Sequence, residues 1–394
     1  MRLILFSIAL PLFLFSFDDT AILSKEANTI LELKAKKNKE DSDKLKNSWL
    51  DPLFFTASYS KTGVDTPQES TTTSYRLSFS QDIFRSGGIY YAIKYADAAE
   101  KLQNTTLELE KKSLLLNAYQ ILFQIKKTDL AIKKQLLDID SAKLDIKKKE
   151  EQFLNGLLDI SFLNNAIITH NKLENALAEL NSSKDELLKQ FSNISDLNPY
   201  EIALIEFVPL NLEEFKNKNI NLQQKKDEID TKRYTKNLTT ANYLPKITID
   251  ASYAIEDKES SFQMLSNNEP YYNYGIKLTV PLNFNTFNDI ESSKLAYLIS
   301  QSELDTKTKE EENFYKTIEK NRESIKIKNT LAQNDLKLYE KLLFQAKEQQ
   351  QAGLITEDDV KIIQNSKESS KIDIEIFAID DSLELLKLYS KVAK

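Results

Sequence analysis

The sequence predicts an α+β chain made mainly of long α-helical coiled-coil hairpins, with four transmembrane β-strands per chain that close into a 12-strand barrel only when three copies meet. Three observations carry this fold class: a shortage of turn formers, an internal repeat that covers most of the chain, and four segments of strict apolar alternation. Gly occurs only 6 times and Pro 8 times in 394 residues, so the chain has few reversals and must run in long elements. A hydrophobic share of 41% beside 29% charged residues allows a sizeable core and argues against disorder.

The first element is a leader. Arg2 precedes an apolar stretch from Leu3 to Phe15, which then meets Ser16, Phe17, Asp18 and Asp19. About 13 apolar residues fall short of the roughly 20 a spanning helix needs, so residues 1–16 are expected to be a secretory signal peptide cut after Ser16. The chain has no Cys, which excludes disulfides, thiolate metal sites and a lipidated N-terminal cysteine. A secreted chain without a membrane helix is periplasmic, extracellular or held in an outer membrane by strands.

A repeat then sets the domain plan. DPLFFTASYSKTG around Pro52 corresponds to NYLPKITIDASYAIE around Pro245, each followed by a second alternating segment, SYRLSFSQDIF from Ser74 and NYGIKLTVPLNF from Asn273. A long charged helical stretch follows each pair, broken by one glycine, Gly156 in FLNGLLDIS and Gly353 in QQAGLITEDDV. The copies lie about 193 to 197 residues apart. Residues 17–210 are expected to form the first structural repeat, with an N-terminal helix, strands 53–60 and 74–84, a helical hairpin over 89–195 and a connector. Residues 211–394 form the second, with helix 212–240, strands 244–256 and 273–284, and a hairpin over 287–392.

The strands alternate with period two. Phe55, Ala57 and Tyr59 oppose Thr56, Ser58 and Ser60, and Ile247, Ile249, Ala251, Tyr253 and Ile255 oppose Lys246, Thr248, Asp250 and Ser252. Segments of about ten residues match a tilted strand crossing a bilayer. Tyr59, Tyr75, Phe84, Tyr253, Tyr271, Tyr272, Tyr274 and Phe284 cluster near strand ends, as an interfacial belt would. A soluble sheet packed on helices also alternates. Four strands cannot close a barrel alone, whereas three copies leave no edge unpaired in lipid, so outer-membrane lipid and a homotrimer are the expected partners.

The helices pass an arithmetic check. Residues 89–152 and 287–351 each run about 95 Å without Gly or Pro, and the return stretches 161–195 and 356–392 cover only about 54 Å of that. Segments 18–46 and 212–240, about 42 Å each, fill the remainder. Leu114, Ala118, Ile121, Ile125 and Ile132, with Leu331, Leu338, Leu342 and Ala346, recur at coiled-coil spacings.

Catalysis finds no support. The single His170 lies in a helical stretch and is expected to be solvated; with no Cys and no second His, nucleophilic dyads and His-rich metal sites are excluded. No cofactor is expected. A net charge of −7 spread over interleaved Lys and Glu offers no basic face, so nucleic acid is excluded as a partner. Gly156 and Gly353 suit helix reversals that need positive φ. Thr356 followed by Asp359 reads as a capping box. Leu157, Leu158, Leu354 and Ile355 at the turns favour a docking surface, since apolar side chains exposed at a tip want a partner.

Four places make the chain resemble the TolC-like outer-membrane efflux protein family: Leu244-Pro245 opening a strand, Val280-Pro281-Leu282 closing its partner, and the two turns FLNGLLDISFL and QQAGLITEDDV. The resemblance implies a trimeric barrel, a periplasmic helical tunnel, and adaptor docking at tips formed by Gly156, Leu157, Leu158, Gly353, Leu354 and Ile355. It further implies a passive exit duct of a tripartite efflux pump or type I secretion system, partnered by a periplasmic adaptor (membrane fusion) protein and an inner-membrane pump or ABC exporter. Asp359 falls where the family has an acid at the tunnel entrance. Phe162 stands at the matching place in the first tip, Ile362 replaces a further acid, and Ile355 replaces a base. The alternative from another class is a soluble periplasmic coiled-coil scaffold, which detergent dependence would separate from the duct.

Overall fold

The computed structural model describes residues 19–64, 66–260 and 270–393; the expected signal peptide and its cleavage after Ser16 lie outside them. After a 3-10 turn at Thr20–Ile22 the elements are α1 (Lys25–Lys46), β1 (Phe54–Val64), β2 (Thr66–Phe84), α2 (Gly88–Leu154), α3 (Ile160–Ser192), α4 (Leu212–Lys218), α5 (Ile220–Asn242), β3 (Lys246–Ser260), β4 (Tyr271–Thr279), α6 (Thr286–Gln351) and α7 (Glu357–Tyr389). Residues divide into two compact units, each drawing on both halves of the sequence: 19–32, 108–220 and 308–393 form one, and 33–107 with 221–307 form the other.

The second of these units holds the sheet. Its order is β1-β2-β3-β4, every neighbouring pair antiparallel. Because directly opposite residues share a face, the register decides which side each residue takes. Phe55 pairs Leu77, Leu77 pairs Tyr253, and Tyr253 pairs Tyr272; below them Phe79 pairs Ala251 and Ala251 pairs Tyr274. All the apolar alternation therefore lands on one face. The helices of the unit pack on small side chains, with Ala96, Ala98, Ala99 and Ala241 buried, which lets the backbones approach closely. Asp227 is buried yet satisfied, accepting from Thr105 at 2.7 Å and pairing with Lys101 at 3.0 Å, as a desolvated carboxylate must be.

The other unit is helical. Leu115, Tyr119, Leu122, Phe123 and Ile125 of α2 are fully or nearly fully buried, and burial pushes the Tyr119 hydroxyl well above the ordinary tyrosine range. A second cluster joins Phe215, Ile318, Leu385, Leu388 and Val392, flanked by Phe314 and Tyr315. Several boundaries depart from the sequence reading, and β1 and β3 run on to Val64 and Ser260, past the expected 60 and 256. The expected helix over 212–240 breaks at Asn219, which is extended and bridges Val392; Ile220 donates to the Lys391 carbonyl and Ala393 to that of Lys218, both at 2.8 Å. β2 starts at Thr66 rather than 74, since a run of Ser and Thr lacks alternation but pairs readily in a ladder. β4 stops at Thr279 rather than 284, just before Pro281, whose ring offers no N–H to a ladder. The helix expected from residue 18 begins at Lys25, because the 3-10 turn is capped by Asp19 and leads into extended Leu23.

Candidate functional site

On the sheet, one face is apolar and bare. Phe55, Tyr59, Tyr75, Leu77, Tyr253, Ile255, Tyr272, Tyr274, Ile276 and Leu278 all lie on it and are all exposed, Ile276 at 76%. Its rows near the β1–β2 and β3–β4 ends are rich in tyrosine, and Phe84 and Phe284 sit exposed at the other end, the placement an interfacial belt needs. Tyr271 does not share this face. Its odd number puts it opposite Tyr272 in the pleat, where it accepts a hydrogen bond from Arg76 at 3.0 Å.

The opposite face is polar and cross-linked. Ser58 and Ser74 share a hydrogen bond of 2.8 Å, Ser80 donates to Asp250 at 2.7 Å, and buried Thr248 donates to Asp82 at 2.6 Å. Lys246 reaches the same Asp82 carboxylate at 3.2 Å. Such a face is suited to water and solutes. Where β1 has not yet begun, Gln81 replaces a strand: its side chain donates to the Trp49 carbonyl at 2.9 Å and accepts from the Asp51 N–H at 3.0 Å.

In the helical unit the two hairpin turns share one construction. Gly156 has φ 71° and donates to the Phe153 carbonyl at 2.9 Å, while Leu157 donates to Gln152 at 2.8 Å. Gly353 has φ 75° and donates to Gln350 at 2.9 Å, while Leu354 donates to Gln349 at 2.9 Å. This pair of bonds is the Schellman helix stop. A side chain at either glycine would meet nothing within 4 Å, so glycine supplies the left-handed φ and not space. Leu157 is 75% and Leu354 74% exposed, and the residues after them, Leu158 and Ile355, are half-buried. Phe162 is exposed on the first turn of α3.

The return helices are capped differently. Asp159 caps α3, accepting from the Ser161 N–H at 2.8 Å, and that bond holds its carboxyl below the ordinary range. Thr356 and Asp359 make the expected reciprocal capping box on α7. Asp359 also accepts from Lys148 of α2 at 2.7 Å, and Asp358 from Lys147 at 2.7 Å. The Lys148 hydrogen bond, aided by Thr356 and opposed by partial burial, holds the Asp359 carboxyl low.

That contact belongs to a ladder the sequence reading missed. Lys127 pairs Asp380 at 2.5 Å, Lys134 pairs Asp373 at 2.6 Å and Lys148 pairs Asp359. On both helices these positions fall one or two heptads apart. Ser141 fills the vacant heptad position and meets the Asn365 amide at 3.1 Å. An antiparallel coiled coil thus joins α2 to α7. The signal was present as Lys and Asp at sevenfold spacing, but it becomes readable only once the pairing of the helices is known. His170 is another correction: its side chain is 17% exposed and lies 3.5 Å from Glu174, turned inward where a solvated residue was expected.

Among the described residues no cluster of His, Cys, Asp or Glu could hold a metal, and no helix is long and apolar enough to cross a membrane; the latter says nothing of strands. No protein-family model and no curated protein matches the sequence. Solved structures do match. The outer membrane protein VceC of Vibrio cholerae superposes with a TM-score of 0.73 at 12% identity, over 96% of this chain and 96% of that one. The CmeC outer membrane channel of Campylobacter jejuni gives 0.71 at 14% identity, over 95% and 85%. The open state of the MtrE outer membrane channel of Neisseria gonorrhoeae gives 0.68 at 12%, over 95% and 87%. Long helices, a four-stranded sheet and these superpositions agree: the chain has the fold of the TolC-like outer-membrane channels.

Proposed function

We propose that this chain is one subunit of a trimeric outer-membrane channel, a passive exit duct for efflux or type I secretion with no catalytic role. One observation carries the reading: an apolar face spans all four strands, lies open, and ends in two strands with unpaired edges. In water such a face and such edges invite aggregation. In lipid the face is at home, and three copies would pair every edge in a 12-strand barrel. The polar face then lines the lumen. A soluble coiled-coil scaffold would leave the same face without a cover, which is why the channel reading is preferred.

The helical unit would lie in the periplasm and dock a periplasmic adaptor through Gly156, Leu157, Leu158, Gly353, Leu354 and Ile355, the adaptor in turn meeting an inner-membrane pump or ABC exporter. Phe162 and Asp359 are candidates for the tunnel entrance. Residues 17–210 and 211–394 are read as two copies of one structural unit, a reading the matched Schellman turns support. Detergent extraction of cell envelopes followed by native mass measurement tests the function: a detergent-dependent trimer is expected, and a monomer released with the soluble periplasm overturns it.

A further inference from the structure

The trimeric reading leaves open how β4 of one copy meets β1 of the next, and the sheet contains the information to fix it. Within the strands the apolar face runs without a polar interruption over Phe55–Tyr59 on β1, Tyr75–Phe79 on β2 (Gln81 then separates it from Phe84), Ile247–Ile255 on β3 and Tyr272–Leu278 on β4. The middles of these runs do not lie on one hydrogen-bonded row. Ala57 at the middle of β1 pairs Tyr75, whereas the middle of β2 is Leu77. Leu77 pairs Tyr253, whereas the middle of β3 is Ala251. Ala251 pairs Tyr274, one residue before the middle of β4. The apolar run therefore slips in one direction, by two residues at each of the first two junctions and by one at the third, as it must when tilted strands cross a flat lipid layer.

From this slip we propose that β4 pairs with β1 of the next copy so that Ile276 stands opposite Ala57, a stagger of about six residues per subunit. Three constraints select that value. An odd stagger would turn the apolar face of one subunit against the polar face of its neighbour. A stagger of about four would reverse the slip at the junction between copies. One of about eight would tilt twelve strands to about 54°, beyond the usual 35–45°, whereas six gives about 45°. In the register so fixed Leu278 meets Phe55, Tyr274 meets Tyr59, and beyond the ladder Val280 meets Leu53. All six of these side chains are large, apolar and exposed in a single copy, and each acquires an apolar neighbour across the seam.

The absence of native cysteine makes the test direct. The double variant Ala57→Cys with Ile276→Cys is oxidised with copper phenanthroline in intact outer membranes, beside Phe55→Cys with Ile276→Cys and Tyr59→Cys with Ile276→Cys. The variant Ala251→Cys with Tyr274→Cys, a pair within one sheet, controls for folding and oxidation. Disulfide-linked dimers and trimers are expected mainly from the first pair, the flanking pairs yielding less than about one fifth as much. A maximum at either flanking pair overturns the register while leaving the trimer intact. No link between subunits in any pair, with the control closed, overturns the register, and a monomer by native mass from the same membranes overturns the trimeric barrel on which it rests.

Discussion

The two hairpin tips have the same backbone and different surfaces. Both end a long helix in a Schellman stop, with φ of 71° at Gly156 and 75° at Gly353, and both expose the next leucine. Around the first tip Leu154, Ile160 and Phe162 are exposed as well, so with Leu157 the turn carries four exposed apolar side chains. Around the second stand Gln349, Gln350, Gln351, Glu357, Asp358 and Asp359, and Leu354 is isolated among them. Glycine and four backbone hydrogen bonds fix how the chain reverses, and the surrounding side chains are then free to diverge. If the tips have the docking role proposed for them, their contributions should accordingly be unequal.

The largest effect is expected from Leu157→Asp. If docking rests on burial, losing a leucine from the more apolar tip should lower export by about tenfold or more at unchanged outer-membrane abundance, with Leu354→Asp milder at about threefold. Equal losses would erase the distinction between the tips. Smaller, and equal at both tips, is the cost of Gly156→Val or Gly353→Val, about 1–2 kcal/mol of local stability because each forces a branched residue into left-handed φ. Hydrogen exchange confined to the turn measures it, and a cost at one tip alone would show that the shared backbone is not shared in solution.

The smallest effect is electrostatic. The Asp359 carboxyl is held low by Lys148 and Thr356, so its stabilisation is fully present above the ordinary carboxylate value of about 4 and is lost as pH falls through the depressed native value. Both partners are partly exposed, Lys148 at 48%, which keeps the contribution under about 1 kcal/mol. Protection against exchange at the start of α7, relative to the intrinsic rate at each pH, should fall below about pH 4 in the parent, and Asp359→Asn should lose that acid step. A parent with no acid step would mean the pair contributes nothing.

What could be read from the sequence was what local chemistry dictates. The glycine stops, the capping box and the strand alternation depend on residues within a few positions of one another, and each lies where the pattern puts it. Tyr271 falls outside the belt that clustering alone predicts, because its odd number sets it across the pleat from Tyr272 and Tyr274. The break at Asn219, the early start of β2 and the α2–α7 ladder were not legible. Each depends on a partner far along the chain: Val392 for Asn219, β3 for the Ser/Thr run, and Asp359, Asp373 and Asp380 for the lysines of α2.

The bridge between Asn219 and Val392 also imposes an order in time. The helical unit is stitched from three stretches, with Ser24 donating to the Ile194 carbonyl at 2.8 Å near one seam and residues 391–393 holding the break between α4 and α5 at another. A polypeptide emerging from a ribosome or a translocon presents Thr279, the last rung of the sheet, more than a hundred residues before it presents Val392. During that interval all four strands exist while the helical unit still lacks its final piece. Bare edges and an uncovered apolar face are then at their most vulnerable, so the strands must be kept from pairing with other chains until the helical unit has its last piece.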